Sequence, residues 1–128
     1  MRGKTVVDVT NVLGPNGQLA LGFSTSGAEQ LQRKVPSAKV VKAFNSVFAS
    51  TMASGTLKGA PISCFAAGDD ATAKGEVLAL AKDIGFDAVD AGPLTGARWL
   101  EALGFGLIQL GYVVNKGLGT SIGFALQR

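Results

Sequence analysis

The sequence has no histidine. That removes the Ser-His-Asp triad, the Cys-His dyad and the usual zinc sites. It has one cysteine, Cys64, which excludes an intrachain disulfide and a thiolate metal cluster. Cys64 lies in the apolar run Ile62-Ser63-Cys64-Phe65-Ala66-Ala67 and reads as a small buried hydrophobe rather than a reactive thiol. Charge is scarce at 16 % of residues, against about 25 % in typical soluble domains. This scarcity suggests a large buried share, a self-association face, or a portion of something larger. The net charge is +3, and Lys and Arg are scattered with no basic stripe, so no nucleic-acid partner is expected. The basic start Met1-Arg2-Gly3-Lys4-Thr5 is followed by no apolar signal segment, so a cytoplasmic protein is expected. No paired-carboxylate signature, activated nucleophile or metal-ligand spacing is visible. An enzyme built from this chain would take its reactive chemistry from a bound cofactor.

What is present is a hydrophobic share of 47 % in 128 residues, enough for one core. The β-branched run Thr5–Thr10 predicts a strand ending at Asn11. Ser26 with Glu29 three residues later fits a capping box and predicts a helix that Pro36 closes. Lys39–Phe44, Ile62–Ala67 and Phe86–Ala91 predict three further strands, with a short helix over Ser46–Met52 and a loop over Ser54–Pro61. Asp69 and Asp70 are expected to cap a helix whose apolar face is Val77, Leu78, Ala81 and Ile84, with Gly85 just past its end. Thr95 is expected to cap a long segment from Gly96 to Asn115. Its stretch Trp99–Val114 is apolar nearly all round, but Glu101, Gln109 and several glycines favour burial in the core or against a subunit over a membrane span. Ala102 and Gly106 would permit close helix approach there. Strands alternating with helices predict an α/β fold on a mainly parallel sheet of about four strands.

Three predicted strands end in small or polar residues: Thr10-Asn11, Asn45-Ser46 and Gly68-Asp69-Asp70. In open α/β sheets ligands bind outside the carboxyl ends of strands, so these residues would line one crevice. The alternative is that these side chains merely satisfy loop and helix-end backbone groups. The stretch Gly117–Gly123 has the spacing G-x-G-x-x-x-G with no strand before it, and reads as a flexible turn rather than a dinucleotide fingerprint.

In one order along the chain stand Val6-Val7-Asp8-Val9-Thr10-Asn11, Ser24-Thr25-Ser26-Gly27-Ala28-Glu29, Val40-Val41-Lys42-Ala43-Phe44-Asn45, Ala67-Gly68-Asp69-Asp70 and Asp87–Leu94. This series strongly resembles the NADP oxidoreductase family dependent on the deazaflavin coenzyme F-420. It is also similar to the reductase domains of the six-transmembrane metalloreductases, and Ile122–Leu126 matches the family's end. The resemblance implies residues 1–128 as a single domain, the second half of a Rossmann-like fold that lacks the first mononucleotide-binding half. It implies hydride transfer between NADP and a deazaflavin or related acceptor, with no catalytic side chain and no metal. Thr10, Asn11, Phe44, Asn45, Ser46 and Val47 would lie beside the nicotinamide and deazaflavin rings, Gly68 would be near the same crevice, and the C-terminal stretch around Leu126 would close over the deazaflavin. Val12 departs from the family pattern, which often has proline there. The isolated chain is expected to bind NADP weakly, because the Gly-rich turn at a helix N-terminus that holds pyrophosphate is not in it. The expected partner is a second copy or a chain supplying the first half. The alternative is a non-catalytic dimerisation or assembly module derived from that fold.

Overall fold

The computed structural model describes residues 1–117 and 121–128. Leu118, Gly119 and Thr120, within the glycine-rich stretch read as a turn, lie outside the described residues. Strands β1 (Thr5–Asp8), β2 (Lys39–Ala43), β5 (Ser63–Gly68) and β6 (Asp87–Asp90) form one sheet in the order β1-β2-β5-β6. β1 pairs with β2 in parallel, Thr5 opposite Lys39, and β5 pairs with β6 in parallel, Ser63 opposite Asp87. The central pair is antiparallel, with Val41 opposite Gly68 and Ala43 opposite Ala66. The sheet is therefore mixed and mostly parallel, as expected of the class.

The reversal at β5 follows from what connects it to β2. A parallel return needs a crossover, usually a helix. Here the chain makes a 3-10 turn at Ala49–Thr51 and then a small hairpin, β3 (Thr56–Leu57) against β4 (Ala60–Pro61). Lys58 and Gly59 between them both have positive φ, 52° and 79°, the signature of a tight two-residue hairpin turn. The predicted loop over Ser54–Pro61 is thus this hairpin.

Helices cover both faces. α1 (Gly27–Lys34) is capped by Ser26, whose Oγ accepts from the Glu29 amide and donates to the Glu29 carboxylate. α2 (Ala71–Ile84) is capped by Asp70 accepting from the Ala73 amide. It packs Ala73 and Val77 against Val41, Ala43 and Ala66. On the opposite face Val40, Ala28, Leu94 and Ala97 form one cluster, and Phe65, Ala67 and Leu100 another. Asp69 does not share the α2 cap. Its Oδ1 accepts from the Leu94 amide and so serves the 3-10 turn Leu94–Gly96 that opens α3 (Ala97–Ile108). Thr95 accordingly supplies no cap.

α3 continues into a wider π turn over Gln109–Val114. Leu100, Glu101, Gly104 and Leu107 of α3 are buried, whereas Trp99, Leu110, Tyr112, Val113 and Val114 are exposed. The close approach falls at Gly104. Among the described residues, no atom outside the helix lies within 4 Å of where a Gly106 Cβ would stand. No helix among the described residues is long and apolar enough to cross a membrane. β1 is an edge strand, and among the described residues its outer side pairs with no strand.

Candidate functional site

Because β1 and β2 run in parallel, the residues following them meet at one end of the sheet. There Asn11, Asn45, Ser46, Val47, Phe48, Gly104, Leu107 and Ile108 line a small cavity of about 30 Å³. That is room for a water molecule or two. Beside it Val9, Asn11, Phe44, Val47, Ala49 and Met52 line an open crevice of about 300 Å³. Asn11 and Val47 belong to both spaces. Thus Asn11, Phe44, Asn45, Ser46 and Val47 come together, with Thr10 one residue before Asn11.

The turn that builds this end is strained. Phe44 has φ of 64°, a genuine outlier for a bulky residue and a cost of about 1–3 kcal/mol. Its ring is held edge-on to Phe86 at 6.2 Å between centroids. The left-handed kink ends β2 and is followed by two buried polar residues, Asn45 and Ser46. Asn45 Nδ2 donates to the Leu100 carbonyl at 2.9 Å. Asn45 Oδ1 and Ser46 Oγ are buried and have no hydrogen-bond partner among the described residues. Buried polar atoms are nearly always paired, so these orphans are open valences for a water or a ligand. A Cβ on Gly104 would stand 2.8 Å from Asn45 Nδ2, 2.9 Å from the Asn45 carbonyl and 3.0 Å from Asn11 Oδ1. Only glycine lets α3 press on both asparagines.

Beneath the crevice lies a charged cluster that sequence reasoning missed. Lys42 is fully buried, and its Nζ lies 3.3 Å from Asp8 Oδ2 and 3.2 Å from Glu101 Oε1. It also donates to the Thr10 carbonyl at 2.7 Å. Asp8 Oδ1 accepts from both the amide and the hydroxyl of Thr10. Glu101 accepts from the amides of Gly27 and Ala28, so an α3 carboxylate caps the positive end of α1. Arg98 adds a two-point ion pair to Glu29, and this guanidinium holds the Glu29 carboxyl below its ordinary range. The sequence signal was an anion in an otherwise apolar helix, Glu101.

Two expected site residues lie elsewhere or at the margin. Gly68 ends β5 at the opposite end of the sheet, opposite Val41, because β5 runs antiparallel to β2. The expectation that it borders the crevice is corrected on that ground. The cleft at that end is lined by Arg33, Lys39, Asp69 and Asp70, with Lys39 paired to Asp70 at 3.4 Å. Leu126 lies at the crevice end of the sheet, where its amide donates to Ser63 Oγ at 2.8 Å. Cys64 is buried, and burial pushes its thiol up to about 11. No cluster of potential metal ligands occurs among the described residues.

Seen against solved structures, the chain superposes on a protein of Arthrobacter sp. FB24 described as an F420-dependent NADP reductase. The TM-score is 0.86 with 39 % identity, over 99 % of this chain and 59 % of that one. A hypothetical protein from Sinorhizobium meliloti matches at a TM-score of 0.66 and 32 % identity, over 75 % of this chain and 48 % of that one. Among curated proteins, metalloreductase STEAP3 of Rattus norvegicus is 36 % identical over 103 residues, covering 80 % of this chain and 20 % of its own length. Metalloreductase STEAP2 of Homo sapiens is 32 % identical over 108 residues, covering 84 % and 21 %. No family model matches. The chain thus has a Rossmann-like fold and is similar in sequence to members of both families its motifs resemble. It spans about a fifth of the length of the metalloreductases and 59 % of the reductase structure.

Proposed function

We propose that the chain is the ring-binding portion of an NADP-dependent oxidoreductase that passes hydride between NADP and deazaflavin F-420 or a related acceptor. The observation that carries this reading is the pair of orphaned buried atoms, Asn45 Oδ1 and Ser46 Oγ, beside a crevice walled by Val9, Phe44 and Met52. Apolar walls suit the faces of flat rings, and the asparagine and serine suit polar ring edges. In this reading Thr10, Asn11, Phe44, Asn45, Ser46 and Val47 hold the rings, and Leu126 covers the deazaflavin. Hydride transfer is the chemistry the cofactors supply when bound. The chain's own residues orient the rings and exclude water, with no side chain as acid or base. The 39 % identity to a protein described as an F420-dependent NADP reductase favours this over a non-catalytic assembly module.

The same reading makes residues 1–128 one partial domain acting in the cytoplasm, incomplete for turnover by itself. A second copy, or a chain carrying a Gly-rich first half, joins along the open edge of β1. NADP alone binds weakly, because no G-x-G-x-x-G turn stands in this sequence to hold its pyrophosphate. Fluorescence titration of deazaflavin against wild type and Asn45→Ala tests the assignment. Saturable binding is expected in the wild type, weakened about tenfold in the variant by loss of one buried hydrogen-bonding side chain. No binding, or equal binding by both, contradicts it. Micromolar NADP affinity in calorimetry would overturn the incomplete-site part.

A further inference from the structure

We propose that Lys42 is a positioning residue for this crevice, its sealed ammonium tying β1 and the Thr10–Asn11 turn to Glu101 on α3. The inference rests on the ring-binding reading above for its functional meaning, but its geometry stands apart from any ligand. Lys42 sits in mid-strand on β2 with no exposed surface, where an unpaired lysine would be costly. Its contacts run in two directions. On β1 and the turn after it they are Asp8 Oδ2 and the Thr10 carbonyl; on α3 the contact is Glu101 Oε1. The same α3 carries the Leu100 carbonyl that holds Asn45 and the Gly104 against which both asparagines press.

The ammonium therefore sets the distance between the two walls of the small cavity. The Asn11 wall hangs from β1 through Thr10, and the Asn45 wall is fixed by α3. Glu101 is anchored independently by the Gly27 and Ala28 amides, so α3 cannot swing to follow a loosened β1. Two carboxylates share one lysine, and the remaining balance comes from the positive end of α1. The Thr10 carbonyl takes an ammonium hydrogen that the two carboxylates leave free. That bond, at 2.7 Å the shortest of the three, is what gives Lys42 a hold on the site.

The test is amide hydrogen exchange by NMR on the full chain, comparing wild type with Lys42→Met and with the charge-free triple variant Asp8→Asn/Lys42→Met/Glu101→Gln. The triple variant guards against failure of the single one to fold, since buried ion networks are often replaceable without loss of the fold. The Asp8→Asn change keeps an acceptor for the Thr10 amide, so any change there reports the lost Lys42–Thr10 bond. The expected result is exchange about tenfold faster at Thr10 and at Leu13, whose amide donates to the Asn11 carbonyl, with the β2 and β5 amides changed less than about twofold. Uniform acceleration across the sheet, or no local change, overturns the positioning role. Deazaflavin titration of the same variants separates the two readings. If the wild type binds no deazaflavin, the ring-binding reading fails, while the exchange pattern still decides whether Lys42 positions the turn.

Discussion

Gly104 and Gly106 lie two residues apart in α3 and offer a matched test of the site's packing. Alanine inside a helix is ordinarily about 1 kcal/mol better than glycine. At Gly106 a Cβ meets open space among the described residues, so Gly106→Ala should gain up to about 1 kcal/mol. At Gly104 the Cβ meets the Asn45 amide nitrogen at 2.8 Å, the Asn45 carbonyl at 2.9 Å and Asn11 Oδ1 at 3.0 Å. The Asn45 carbonyl is backbone and cannot rotate away. Overpacking of this kind costs about 1–3 kcal/mol. Pushing Asn45 off the Leu100 carbonyl strands buried polar groups, at about 1–3 kcal/mol more if the bond is fully lost. Helix propensity offsets only part of this, so Gly104→Ala should lose about 1–3 kcal/mol net. The two variants should then differ by roughly 2–4 kcal/mol. At about 4 °C per kcal/mol for a domain of this size, that is a gap of roughly 8–16 °C in Tm. Urea denaturation with unchanged m-value gives the same comparison at constant temperature. Equal effects of the two substitutions, or stabilisation by Gly104→Ala, would refute the close packing of α3 on Asn11 and Asn45.

Gly27→Ala should destabilise by about 1–3 kcal/mol in urea melts, because its Cβ would stand 2.5 Å from Val12 Cγ2 and 3.2 Å from Glu101 Oε1; a stability gain would contradict the close approach of Val12 and Glu101 to the start of α1. The Glu29 carboxyl is lowered from its ordinary 4.5, chiefly by the Arg98 hydrogen bond. Its contribution is therefore complete above that value and is lost as pH falls through the lower folded-state pKa. Arg98→Met should flatten this acid limb of the stability curve, and an unchanged fall in urea midpoint between pH 6 and pH 3 would tell against the ion pair. Cys64, with its thiol near 11 and its side chain buried, should resist thiol reagents at pH 8 until the chain unfolds. Complete labelling of the folded protein within minutes would show that β5 opens readily.

The strands and the caps at Ser26 and Asp70 were legible because their causes are local. Ser26 with Glu29 and Asp70 with Ala73 act within one helical turn, and β-branched runs mark β1 and β2. The direction of β5 was harder to read, since strand sequences look alike in either direction. The usable signal was the lack of a strong helical segment between Phe44 and Ile62, which leaves no crossover to return β5 in parallel. That single reversal moved Gly68 to the far end of the sheet while leaving Asn11 and Asn45 together. The buried cluster was not legible at all. Asp8, Lys42 and Glu101 are far apart in the chain, and each reads locally as a surface charge or an interruption in an apolar run. Only the packing of α3 across α1 and β2 shows that they meet.

In the proposed function, rings bind at the crevice between the Thr10–Asn11 turn and the Phe44–Val47 turn. Backbone amide shift mapping during titration with oxidised deazaflavin tests it most directly. The shifts should concentrate at Asn11, Phe44, Asn45, Ser46, Val47 and Gly104. Shifts centred instead on Arg33, Lys39, Asp69 and Asp70 at the opposite end of the sheet, or no shifts at saturating ligand, would contradict it.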